Sequence, residues 1–103
     1  MPAVARKNDE TSTGHLSCTT TVNLVDGPFS PNVFCNNIKV AHKGSETEAH
    51  TIPGGGGCVP HPAQPISAGS SSVFVNGIAI ARVDDPVDAD KVTKGSPDVF
   101  AGG

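Results

Sequence analysis

Tryptophan and tyrosine are absent from this 103-residue chain, and its aromatic content is four phenylalanines. With so few large rings, and with roughly 60–65% of the unfolded surface buried at this length, only a small core is available. The sequence therefore calls for a staple such as a metal, a disulfide or a partner surface. A basic excess is also lacking. Seven Lys and Arg against ten Asp and Glu leave a formal charge of −3, which excludes the electrostatic footprint of nucleic-acid binding and of attachment to an anionic membrane. No run approaches the ~18 apolar residues of a membrane span, and Met1–Asp9 has no signal-peptide core. The expectation is a soluble protein made in the cytosol. Stretches free of helix breakers are missing too, because 12 glycines and 9 prolines interrupt every candidate helix. Three cysteines without a signal peptide argue against a disulfide framework and towards thiolate chemistry or burial. Gly54–Gly57 lacks the Lys-Ser/Thr and helix of a phosphate loop, no Gly-x-Ser-x-Gly turn occurs, and the adjacent Asp84 and Asp85 point apart in extended chain. No enzymatic constellation is left.

What is present is a repeat. Ser30-Pro31-Asn32-Val33-Phe34, Ser70-Ser71-Ser72-Val73-Phe74 and Ser96-Pro97-Asp98-Val99-Phe100 align on their Val-Phe pairs. Each runs into residues that tolerate positive φ: Asn36-Asn37, Asn76-Gly77 and Gly102-Gly103. The strand expected after the turn is Ile38–Lys43 in one copy and Ile78–Val83 in another. The third sits at the opposite end of the chain, in Pro2–Lys7, so a hairpin opened by Ser96–Gly103 is completed by the N-terminus. Three hairpins in a circularly closed, pseudo-threefold arrangement predict an all-β single domain over residues 1–103. Its connections, 9–29, 44–69 and 84–95, are expected to be irregular loops at one end.

Those loops hold His15, Cys18, His50, Cys58 and His61. A tight turn through Cys58-Val59-Pro60-His61 can present a thiolate and an imidazole to one ion, with His50 reached across the glycine run and His15 from the first loop. His15, His50, Cys58 and His61 are therefore the expected metal ligands, a closed N/S set that suits structural zinc, with iron as the alternative. Cys18 is either a replacement for one of the four or an unpaired loop thiol. Cys35 aligns with Val75 and Ala101 and reads as a small buried position. His42 aligns with Arg6 and Arg82 and reads as an exposed strand site.

The Val-Phe-x-Asn/Gly turn followed by Ala-Arg resembles the PAAR-repeat proteins, with Pro2-Ala3-Val4-Ala5-Arg6 and Ile80-Ala81-Arg82-Val83-Asp84-Asp85-Pro86 similar to the motif itself. His42 in place of arginine, and Asn8 in place of glycine, depart from it. The resemblance implies a small cone that caps the trimeric β-helical spike of a contractile injection machine, one tip per trimer. The machine is a phage tail baseplate or a type VI secretion system, and the tip pierces a target cell envelope. It also implies an apical zinc held by three His and one Cys, with no nucleic acid and no small-molecule substrate. The chain begins and ends within the repeats, so no fused effector domain is expected. The competing readings are a small zinc-dependent hydrolase and a metal carrier.

Overall fold

Asparagine and glycine place the turns. In the computed structural model, which describes all 103 residues, Asn36 and Asn37 (φ 57° and 63°) and Asn76 and Gly77 (φ 52° and 79°) take the left-handed pair of a two-residue primed turn. Eleven short strands and no helix result: β1 (Glu10–Ser12), β2 (Thr21–Asp26), β3 (Phe34–Cys35), β4 (Ile38–Lys39), β5 (Glu46–Thr47), β6 (His50–Gly54), β7 (Gly57–His61), β8 (Phe74–Val75), β9 (Ile78–Ala79), β10 (Pro86–Val87) and β11 (Asp90–Lys91). β3–β4 and β8–β9 are equivalent hairpins, pairing Phe34 with Lys39 and Phe74 with Ala79. The third copy closes across the chain ends. Ala3 pairs with Phe100, Val4 N–H donates to Val99 O at 3.0 Å and Ala101 N–H to Pro2 O at 3.0 Å.

The three copies then lock into rings. Ala5 N–H donates to Ala81 O, Ala81 N–H to Ala41 O and Ala41 N–H to Ala5 O, at 2.9, 3.1 and 3.0 Å. All three alanines are fully buried. Only a methyl fits where three strands converge, so the alanine at this step is a packing requirement. Below the ring lies one apolar cluster of Val4, Val40 and Ile80 with Cys35, Val75 and Ala101. Above it, Leu24, Ile66, Val87 and Val92 pack on the alanines. Gly69 approaches the ring closely, and a Cβ there would stand 2.5 Å from Ile80 O.

Each ring strand is followed by a left-handed residue, Asn8, Gly44 or Asp84 (φ 75°, 95° and 78°). In two copies a carboxylate caps this turn: Asp9 Oδ2 accepts Arg6 N–H at 2.8 Å and Asp85 Oδ2 accepts Arg82 N–H at 2.7 Å. The same carboxylates hold the guanidinium groups of Arg6 and Arg82. Asp9 keeps the Arg6 guanidinium above its ordinary pKa, chiefly through the side-chain hydrogen bond. The middle copy substitutes Ser45 Oγ, which accepts His42 N–H at 3.0 Å. His42 is buried, contrary to the exposed site its alignment with arginine suggests. Its imidazole turns back to Lys43 O at 2.6 Å instead of reaching outward.

The connections are more regular than expected. They form a second ring, in which Thr11 pairs with Val92, Leu24 with Thr47 and Ile66 with Val87. Gly54–Gly57 is no irregular loop: Gly55 and Gly56 (φ 56° and 79°) turn β6 into β7, and five residue pairs run from His50↔His61 to Gly54↔Gly57. Both strands are edges, so Pro53 and Pro60 leave no ladder bond unmade. The molecule extends 43 Å along its long axis against 24 and 21 Å across.

Candidate metal centre

The connection ring buries polar side chains beside its apolar ones. Thr11, Thr13 and Thr47 are fully buried, each satisfied by backbone: Thr11 Oγ1 donates to Val22 O at 3.0 Å, Thr13 Oγ1 to Thr19 O at 2.7 Å and Thr47 Oγ1 to Glu48 O at 3.1 Å. Thr13 Oγ1 also accepts His15 N–H at 3.2 Å, which aims the residue that follows Gly14.

Next to this threonine layer four side chains converge. His15 comes from the first connection, His50 and His61 from the paired first rung of β6–β7, and Asp88 from the turn between β10 and β11. Their ligating atoms all lie within 4.8 Å of one another. His15 Nε2 is 3.4 Å from His61 Nδ1, and His50 Nε2 is 3.0 Å from it. Asp88 Oδ2 stands 3.3 Å from His15 Nε2, 2.9 Å from His50 Nε2 and 3.7 Å from His61 Nδ1. Metal bonds of 2.0–2.1 Å in a tetrahedron give ligand–ligand edges of about 3.3–3.4 Å, and the five separations bracket that value.

The donor chemistry agrees. His50 Nδ1 is 3.0 Å from Glu48 O, so its N–H is committed to that carbonyl. In the neutral imidazole Nε2 then carries a lone pair, and it faces the Asp88 carboxylate, another acceptor. Lone pairs aimed at one point are favourable only around a cation. The Nδ1–H···O=C bond is the orienting contact that metal-bound histidines use. The residues present therefore fit a metal ion, held by three imidazoles and one carboxylate.

Of the ligands expected from sequence, His15, His50 and His61 are brought together and Cys58 is not. Cys58 pairs with Pro53 three residues before His61, so strand alternation turns it to the other face of the hairpin. There its Sγ is bonded to Cys18 Sγ. This corrects two expectations, a thiolate ligand from Cys58 and the lack of any disulfide. Cys35 is the free cysteine, buried as its alignment with Val75 and Ala101 requires. Asp88 was the residue that spacing alone could not single out. Its signal was topological, since a threefold arrangement should draw one ligand from each connection and the third has no His or Cys.

The profile of the PAAR motif matches residues 17–88 and again 56–103. The chain belongs to the PAAR-motif family. No curated protein matches the sequence. Overlapping matches are what a repeated motif produces. The PAAR-like segment Pro2–Arg6 lies outside both matches, yet the ring bonds of Ala5 and the capped turn of Arg6 and Asp9 make it the structural equivalent of Ile78–Arg82. Membership in the PAAR family accounts for a fold built from three copies of one step.

Proposed function

We propose that this chain is the structural tip of a membrane-piercing spike, seated one per trimer on a β-helical spike protein and pointed by a structural zinc. The observation that carries this reading is the threefold set of apolar residues left uncovered on the hairpins. Phe34, Phe74 and Phe100 are 55%, 58% and 50% exposed, and Val33, Val99 and Ile78 lie exposed beside them. A surface of this kind asks for a partner, and a partner with threefold symmetry meets all three copies alike. The metal group has a different role, as a closed set of four protein donors that would crosslink all three connections.

The mechanism is mechanical. Closed rings of backbone hydrogen bonds transmit an axial push without a free edge to peel. The metal contributes about 10 kcal/mol in small zinc domains, and here it would keep the point from fraying. A hydrolase would need three protein ligands and an open position, and a fourth protein donor at Asp88 removes it. The chain would be made in the bacterial cytoplasm and assembled into a phage tail baseplate or a type VI spike.

The test is to mix the zinc-loaded protein with a trimeric spike β-helix and determine the mass of the complex. One copy per trimer, lost on Phe74→Asp, is expected. Three copies per trimer, or binding unaffected by that charge, would refute the reading.

A further inference from the structure

The Cys18–Cys58 disulfide clasps the same two segments that the histidine group joins. One is the stretch His15–Thr19 and the other is the hairpin β6–β7. Along the hairpin, from its first rung outward, three contacts follow. His15 meets His61 and His50. Thr19 and Thr51 share a hydroxyl contact at 2.9 Å, with Thr51 N–H donating to Thr19 Oγ1 at 3.1 Å. Cys18 and Cys58 are bonded with Cα atoms 5.9 Å apart. Thr13 Oγ1 ties the two ends of the stretch, accepting His15 N–H at 3.2 Å and donating to Thr19 O at 2.7 Å, and the middle of the stretch is left open. Leu16 is 99% exposed, and Gly55–Pro60 is exposed throughout. Cys18 itself has φ 65°, a left-handed conformation that a cysteine adopts only when something fixes it. A two-stranded hairpin is marginal alone in water.

We propose that Cys18 and Cys58 form a redox latch on the metal group: closing the disulfide preorganises His15 against His50 and His61 and slows metal loss, and opening it releases that hold. The inference rests on the metal reading of the histidine group. Closure consumes one disulfide oxidant such as oxidised glutathione. A thiolate of the pair attacks the oxidant and expels one glutathione thiolate. The second cysteine then attacks the mixed disulfide and expels the other, and the two cysteine protons end on the two glutathiones formed. Cytosolic thiol pools keep such pairs reduced, and extracellular or periplasmic surroundings oxidise them. The tip would therefore be assembled with an open latch and locked once outside the cell. Preorganising His15 also raises the equilibrium affinity for the metal, and linkage makes that gain reciprocal, so bound metal favours the disulfide by the same factor as the disulfide favours metal.

The test uses the full chain loaded with zinc in three forms: oxidised, phosphine-reduced, and Cys18→Ser/Cys58→Ser. Thiol titration after denaturation should count one free thiol in the oxidised form, from Cys35, and three after reduction. Zinc affinity by chelator competition should be about tenfold or more higher in the oxidised form than in the other two, and zinc release from it correspondingly slower. In glutathione buffers, zinc should shift the thiol–disulfide equilibrium towards the disulfide. Equal release rates would overturn the latch while leaving the metal site intact. Tighter zinc in the reduced form, lost in the double serine variant, would overturn it by making a thiolate the ligand. Failure of the oxidised, correctly bridged protein to take up zinc at all would overturn the metal reading and the latch with it.

Discussion

Asp85→Ala should be among the most destabilising single changes outside the apolar clusters. Asp85 Oδ2 accepts from Arg82 N–H at 2.7 Å and from Nε at 3.2 Å, and Oδ1 accepts from an Nη at 3.0 Å. The side chains of Arg82 and Asp85 are only 12% and 8% exposed. Removing one partner of a buried pair costs 3–5 kcal/mol because the other charge is stranded. Arg82 retains its bond from Nη to Gly102 O at 3.1 Å and can swing towards water, so the lower end applies, about 3 kcal/mol. At about 4 °C per kcal/mol for a domain of this size, the melting temperature should fall by about 12 °C. Calorimetry is the suitable assay, since the chain has no tryptophan or tyrosine to report unfolding by fluorescence. The middle repeat supplies the control. There Ser45 caps His42 N–H with no ion pair at all, so Arg82→His/Asp85→Ser should recover about half of the loss by restoring the acceptor and removing the stranded charge. A single variant melting within about 2 °C of the parent, or a double variant no better than the single, would refute the argument.

Three further outcomes follow from the same geometry. Asp88→Asn should abolish stoichiometric zinc uptake, measured by metal analysis after gel filtration, because a neutral amide replaces the one anionic donor; retained zinc would remove Asp88 from the ligand set. Gly69→Ala should cost about 1–3 kcal/mol in denaturant unfolding, since the new methyl meets the Ile80 carbonyl, which already accepts Ser70 N–H at 2.9 Å and cannot give way. Asp98 is held below the usual aspartate pKa by hydrogen bonds from Asn36 and then Ser96. Its contribution is therefore present above about pH 4 and is lost as pH falls through the depressed folded value. A carboxyl titration followed by NMR should place its midpoint below that of free aspartate, and Asn36→Ala should move the midpoint back up.

The hairpins were legible because their determinants are local. Two left-handed residues after a Val-Phe pair suffice to fix a turn, and alternation then decides that Cys35, Val75 and Ala101 face inward while the phenylalanines do not. The circular closure was legible for the same reason, since Pro2–Lys7 carries the pattern missing after Gly103. The hairpin β6–β7 was hidden by Pro53 and Pro60, which argue against strand wherever a second neighbour needs the N–H. Thr19 meets the outer edge at Thr51 and not at either proline, so the usual penalty does not arise. The burial of His42 was hidden by its alignment with two arginines. The two arginines reach back to Asp9 and Asp85 with their guanidinium groups, whereas the shorter imidazole, with Ser45 in place of the aspartate, folds onto Lys43 O and is covered.

The metal centre shows where a pattern of residue types stops being informative. Three histidines stood out because imidazole is scarce in the chain, and all three converge. Asp88 did not stand out, because aspartates also cap turns here, and Asp9 and Asp85 do so with their carboxylates turned to backbone N–H groups. What separates Asp88 is that its carboxylate has imidazole nitrogens for neighbours, a fact of tertiary placement. Cysteine misled in the opposite direction. The two-residue gap between Cys58 and His61 looks like a chelating turn only while the segment is read as a loop. Once it is a strand, an odd separation sends the two side chains to opposite faces, and the same spacing that suggested one shared ion requires two separate clasps. The hairpin β6–β7 is accordingly held twice, by the candidate metal ligands on one face and by a covalent bond on the other.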